Sequence, residues 1–256
     1  MQLLRNLYGQ LIPKETRFWF YKLRHQQEIE SLKTAVFPSD KGDFSLRYYY
    51  QHKCIFVHIT KAAGTSLALS LFGELPYHYT AQEYRVIYGR RDYNQFFKFT
   101  FVRNPWDRLY SAYSYLKGGG WNAKDAEWAK QHLADIHSFD EFVLNWLTPE
   151  RLYAHIHLWP QSDFICDRHG NPIIDHLGYF ETIQQDFDAI CTRLQLPQTD
   201  LKHTNASKRA GYKDVYSPAA IQKVAELYKQ DIANFGYSFA DSHRMKIAGG
   251  QFVSAQ

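Results

Sequence analysis

"CIFVHITKAAGTSLALSLF", residues 54–72, decides the fold. From Cys54 to Ile59 the run is short, apolar and rich in Ile, Val and Phe, the make-up of a strand buried on both faces in a parallel sheet. A lysine and a row of small residues follow. Thr65 and Ser66 then open a segment in which Leu67, Leu69, Leu71 and Phe72 carry a helix, with the hydroxyl residues favoured in a first turn. Strand, small-residue turn and helix make an anion cradle, because the N–H groups of a helix N-terminus converge at the positive end of its dipole.

"KFTFVRNPWDRLYSAYSYLKGGG", residues 98–120, repeats the arrangement. Lys98 to Val102 read as a strand, Asn104 and Pro105 as a polar turn, and the remainder as a helix with Tyr110, Tyr113 and Leu116 on one face. Gly118 to Gly120 end it. Two strand-to-helix units in succession predict an α/β fold, a P-loop-like parallel sheet flanked by helices, with ligands at the carboxyl ends of its strands. "SFDEFVLNWL" and "SPAAIQKVAELYKQDIANFGYSF" are further helices, the second opened by Ser217 with Pro218 at its first position.

The 256 residues, 45% hydrophobic and 22% charged, belong to a globular chain large enough for a substantial core. A net charge of +4 is mild. It suits a small anionic ligand and not a nucleic-acid duplex. Cys54, Cys166 and Cys191 are an odd set without CxxC spacing, so neither a disulfide framework nor a metal site is expected, and a reducing compartment is. No apolar run reaches the ~18 residues of a membrane span. The chain reads as soluble, cytoplasmic and unprocessed.

Residues 1–50 read as an N-terminal helical arm and linker, with an amphipathic helix after Pro13 and "PSDKGDFSL" as the linker. The arm either packs on the main domain or lies on a membrane surface or partner. Residues 51–240 form the main domain, and 241–256 a frayed tail.

The nucleoside-triphosphate signature GxxxxGK[ST] is absent, and no magnesium-binding Asp follows on a second apolar strand. Instead Lys61 precedes Ala62, Ala63, Gly64, Thr65 and Ser66. "HITKAAGTS" together with "FTFVRNPWDRLYSAY" resembles the paired signatures of carbohydrate sulfotransferases, the family containing heparan 2-O- and chondroitin 4-O-sulfotransferases and many bacterial members. The resemblance extends through "PQSDFI" around Gln161, "HLGYFETIQQDF" from His176 and "HTNASKR" from His203. Thr60 stands where the family usually has Pro, and Ala62 where it has Thr.

The resemblance implies the sulfotransferase fold and 3′-phosphoadenosine 5′-phosphosulfate (PAPS) as donor, with transfer to a hydroxyl of a carbohydrate acceptor and no metal. On it, Lys61, Ala63, Gly64, Thr65 and Ser66 cradle the 5′-phosphosulfate, Arg103 and Ser111 grip the 3′-phosphate, and Ser207, Lys208 and Arg209 close over the nucleotide. Lys61 also stabilises developing charge. His78 stands in the region of the family's catalytic histidine and ranks first as general base. His58 orients the loop, while His155, His157 and Glu83 are reserve bases or acceptor contacts. Asp107 and Arg108 read as a local salt-bridge pair. The competing readings are a nucleotide kinase or NTPase with an atypical P-loop, and an inert glycan- or nucleotide-binding module.

Overall fold

The apolar runs form the centre of the molecule. In the computed structural model, which describes residues 14–40, 42–197, 201, 211–241 and 244–255, strands β1 (Cys54–Val57), β2 (Phe97–Val102) and β3 (His176–Tyr179) make a parallel sheet in the order β1-β2-β3. Val57 lies opposite Thr100 and Val102 opposite Tyr179. Both faces are covered, so β1 is continuously apolar, while β2 alternates and satisfies its buried polar positions internally: Lys98 Nζ donates to the Phe96 carbonyl at 2.7 Å and Thr100 Oγ1 to the Val57 carbonyl at 2.6 Å. Phe56 stacks on Phe99 with ring centroids 5.1 Å apart, and a Cβ at Gly178 would fall 2.8 Å from the Phe101 ring, so the sheet admits no side chain there.

Around the sheet lie α1 (Lys14–Arg24), α2 (Gly64–Phe72) and α3 (Ala81–Gln95). After β2 come α4 (Pro105–Lys117) and α5 (Ala123–Leu133), and after β3 come α6 (Ile183–Leu194) and α7 (Pro218–Leu227). Helix α4 buries Pro105, Arg108, Leu109, Ala112, Tyr113 and Leu116. That is a helical stripe with one arginine in it. Helix α1 packs on α3, where Lys22 Nζ donates to the Ile87 carbonyl at 3.2 Å and Phe18 meets Tyr79. Its other side leaves Trp19, Phe20 and Leu23 between 45% and 49% exposed.

Two segments differ from the reading of the sequence. Within the expected linker, Phe44–Ser45 pairs antiparallel with Val36–Phe37, and Ser45 N donates to the Leu75 carbonyl at 3.0 Å. The helix Arg47–His52 that follows buries Tyr48 and Tyr49 in the common core. The expected frayed tail forms a hairpin, β4 (Met245–Ala248) with β5 (Gln251–Ser254). It is tied to β3 by Met245 N donating to the Tyr179 hydroxyl at 2.8 Å and to α6 by an Arg244–Asp186 ion pair.

Candidate active site

The turn after β1 is shaped by its neighbours. Lys61 and Ala63 both adopt left-handed backbone angles, φ 66° and 62°, a conformation costing a non-glycine residue about 1–3 kcal/mol and held only where the surroundings over-determine it. Two buried groups do so here. The fully buried Arg108 donates from Nε to the Thr60 carbonyl at 2.8 Å, from Nη2 to Thr60 Oγ1 at 3.1 Å and from Nη1 to the Trp159 carbonyl at 2.8 Å. Thr60 Oγ1 in turn donates to the Ile156 carbonyl. The threonine standing in place of proline is therefore fixed by hydrogen bonds instead of by a ring. From the other side the His58 ring presses on Gly64, where a Cβ would lie 1.8 Å from it. Gly64 is thus obligatory, and Ala63, Gly64, Thr65 and Ser66 bring their backbone to the N-terminus of α2, where Ala63 supplies no side-chain cap.

Above this turn stands His78. Its Nδ1 lies 3.0 Å from the His58 carbonyl; a carbonyl only accepts, so Nδ1 carries the proton and Nε2 the lone pair. Burial, reinforced by Lys61 and Arg108, lowers its pKa below the ordinary 6.5, while the His58 carbonyl and Asp125 oppose the shift. At neutral pH His78 is consequently an uncharged imidazole with a basic nitrogen. The rings continue as a series: His58 lies 4.3 Å from His78, His157 6.3 Å from His78, and His155 4.8 Å from His157. Burial, reinforced by His78, lowers His58 and His157 well below 6.5. Burial also lowers His155, against the opposing carboxylate of Asp125. Lys61 Nζ sits 3.9 Å from the centroid of the Tyr115 ring, and the His157 ring is 4.8 Å from that same ring.

The turn after β2 holds Arg103. Its Nε and Nη2 donate to Asp107 at 2.7 and 2.6 Å, Nη1 donates to the Lys61 carbonyl at 3.1 Å, and the guanidinium lies 3.9 Å over Phe180. Arg103 thus links the two turns. The expected Asp107–Arg108 pair does not form. Asp107 and Arg108, adjacent on α4, point to different sides of the helix, whereas Arg103, one residue ahead of the Asn104 cap, reaches forward onto the first turn to meet Asp107. Ser111 lies one turn beyond Asp107 on α4, half-buried. The loop backbone is braced by the buried Gln161, whose Oε1 accepts from Arg103 N at 2.9 Å and whose Nε2 donates to the Arg103 carbonyl at 2.8 Å. Glu181 accepts from Asn104 N at 2.8 Å.

Glu83, read as a reserve base or acceptor contact, has a structural task. Its carboxylate accepts from Thr80 N at 2.7 Å, while Thr80 Oγ1 accepts from Glu83 N, so it closes a capping box at the start of α3. Ser207, Lys208 and Arg209 lie outside the described residues. The roles of Arg108, Tyr115 and Gln161 were missed in the sequence; for Arg108 the signal was an arginine inside the apolar stripe of α4. Among the described residues no group of three or more His, Cys, Asp or Glu is arranged to hold a metal ion.

A parallel α/β sheet with a basic strand-to-helix turn beside a neutral histidine has the make-up of a group-transfer site. The Sulfotransferase family profile matches residues 75–238, well over half of the chain, and the protein belongs to that family. The match opens after the Lys61 turn and takes in His78, Arg103 and Ser111. The chain is also similar to an uncharacterized protein of Archaeoglobus fulgidus, 27% identical over 111 residues that cover 43% of this chain and 77% of the other. No solved structure matches it significantly.

Proposed function

We propose that this sulfotransferase uses PAPS as donor and a carbohydrate hydroxyl as acceptor. The observation that carries the reading is His78, a neutral imidazole with Nε2 as its basic nitrogen, close enough to Lys61 for the ammonium to depress its pKa. The residues fit the donor: a cation and a helix N-terminus at a turn where Gly64 has no room for a Cβ, and a second cation held ready by Asp107. PAPS, when bound, supplies a sulfuryl group on a phosphate leaving group. Lys61 and the α2 N-terminus bind and neutralise the anionic 5′ end, where preorganised donors act on developing charge. Arg103, with the Ser111 hydroxyl, binds the 3′-phosphate as a planar fork matched to phosphate. His78 Nε2 takes the proton of the acceptor hydroxyl.

The carbohydrate acceptor rests on the motif resemblance; an open groove of about 980 Å³ bordered by Phe18, Tyr21, Tyr153 and Trp159 is lined by none of Lys61, His78, Arg103 or Ser111, and could take only a part of the acceptor remote from the reacting hydroxyl. Trp159 belongs to the segment that carries His155 and His157. Aromatic faces with a few polar groups suit an amphipathic ring. A cytoplasmic location, with the exposed aromatic face of α1 on a membrane surface, is part of the same proposal.

Calorimetric titration with 3′-phosphoadenosine 5′-phosphate tests the reading, with ATP plus magnesium as comparison. Binding of the bisphosphate that weakens about 10- to 100-fold in Arg103→Ala, the magnitude of a lost charged hydrogen bond, is the expected result. Preference for ATP points to the kinase reading. Absence of binding by either ligand points to an inert module.

A further inference from the structure

One carboxylate beside this site has no part in the steps above. Asp125, in the first turn of α5, is 13% exposed at its side chain and gathers four contacts. Its Oδ2 accepts from the Tyr115 hydroxyl at 2.6 Å, from Trp121 N at 3.1 Å and from Asn122 Nδ2 at 3.3 Å, and its Oδ1 lies 3.4 Å from His155 Nε2. The chain is built around it. Gly120, with φ +67°, stands where a Cβ would fall 2.2 Å from the Asp125 Cβ. Asn122 caps α5 by accepting from Lys124 N and Asp125 N, which fixes the backbone that carries the carboxylate.

Each of the two inward contacts leads to a group of the proposed reaction. Tyr115 carries the Lys61 ammonium over its ring face at 3.9 Å. His155 leads through His157 to His78 at ring separations of 4.8 and 6.3 Å. A cation over an aromatic face is attracted by the ring quadrupole, and it follows the ring when the ring moves.

The geometry points to Asp125 as the positioning residue of this site: it holds Tyr115 against the Lys61 ammonium and His155 against the His157–His78 rings, and so fixes the cation and the base relative to each other. The inference rests on the sulfotransfer reading for the roles of Lys61 and His78, and on the contacts alone for the role of Asp125.

His78 is faced by His58 at the end of β1, Lys61 in the turn, Arg108 on α4, Asp125 on α5 and His157 in the segment after α5. Lys61 and Arg108 push its titration down, and Asp125 pushes it up. Removing the Asp125 charge therefore lowers it further. The neutral base then persists to lower pH, and the acid limb of the rate profile moves down in pH.

Asp125→Asn and Tyr115→Leu in the full chain, compared with Tyr115→Phe, test this. Histidine imidazole resonances are titrated by NMR and transfer is followed at steady state. The expected result for Asp125→Asn is a kcat about 10- to 100-fold lower, the loss that accompanies misplacement by about 1 Å, with bisphosphate affinity within about threefold and both His78 and His155 titrating at lower pH. Tyr115→Leu follows it in kcat, while Tyr115→Phe, which keeps the ring, falls between it and wild type. Wild-type kcat in Asp125→Asn, or unmoved His78 and His155 titrations in a folded variant, overturns the inference. Should the wild-type protein bind no bisphosphate, the sulfotransfer reading falls, and the histidine titrations still decide what Asp125 does.

Discussion

The turn after β1 enters α2 through two left-handed residues, the second of them an N-cap alanine that cannot cap, whereas the turn after β2 enters α4 with Asn104 capping Trp106 N at 3.1 Å and with Arg103 N and Asn104 N already donated to Gln161 and Glu181. Both are strand-to-helix turns at the same end of one parallel sheet. In the second, the backbone is consumed by side-chain bonds, and what the turn presents is a side chain, Arg103. In the first, shape is imposed from behind by Arg108 on Thr60 and by His58 on Gly64, and the N-cap position holds an alanine, so no side chain caps the helix N-terminus. A buried polar brace fits a loop that must hold one guanidinium still; an uncapped, strained turn fits a loop whose own backbone does the binding.

That contrast is broken most severely at Lys61. Lys61→Ala is expected to lower turnover by about 10²–10³, the usual loss for one preorganised charge-stabilising donor, while Arg103→Ala acts mainly on bisphosphate affinity. Single-turnover transfer beside equilibrium titration separates the two. If both substitutions cost only affinity, the two turns have the same task and the distinction fails. Gly64→Ala comes next. The added methyl meets the His58 ring, and overpacking of this kind costs about 1–3 kcal/mol, to be read as a lower urea midpoint. Because the His58 carbonyl also holds His78 Nδ1, turnover falls with stability. Unchanged turnover in a destabilised Gly64→Ala would show that His58 shapes the turn without orienting the base.

The same contrast explains what could be read from the sequence. β1 was legible because a strand buried on both faces has no polar position to blur it, β2 because its phenylalanines recur at every second position, and Gly64 because small residues between strand and helix have few other uses. The absence of an Asp107–Arg108 pair was legible in principle, since adjacent residues do not share a helix face; the Arg103–Asp107 pair depends on the turn ahead of the Asn104 cap. So was the terminal hairpin: Gly249 and Gly250 both have positive φ, 57° and 74°, as a two-residue hairpin turn of the primed type requires. Asp125 was not. Its partners Tyr115 and His155 come from α4 and from a segment thirty residues further on, and no local periodicity records such a meeting. Gln161 fell within a quoted motif, yet its bracket on Arg103 spans 58 positions and exists only once the strands are aligned.

The smallest effect is expected at a third helix start, which serves as the reference for the other two. Helix α3 opens with a complete capping box, in which Thr80 Oγ1 accepts from Glu83 N at 3.2 Å and Glu83 accepts from Thr80 N at 2.7 Å. Thr80 N and Glu83 N are satisfied from within the chain, which leaves this helix start less to offer a ligand than the uncapped start of α2. Thr80→Ala should therefore cost about 1 kcal/mol of stability, the ordinary value for a lost cap, seen as a slightly lower melting temperature with turnover and bisphosphate affinity unchanged. A loss of turnover in Thr80→Ala beyond that of the folded fraction would mean that the start of α3, only two residues after His78, positions the base. The division between capped helix starts that build the fold and the uncapped start of α2, to which binding is assigned by proposal, would then have to be redrawn.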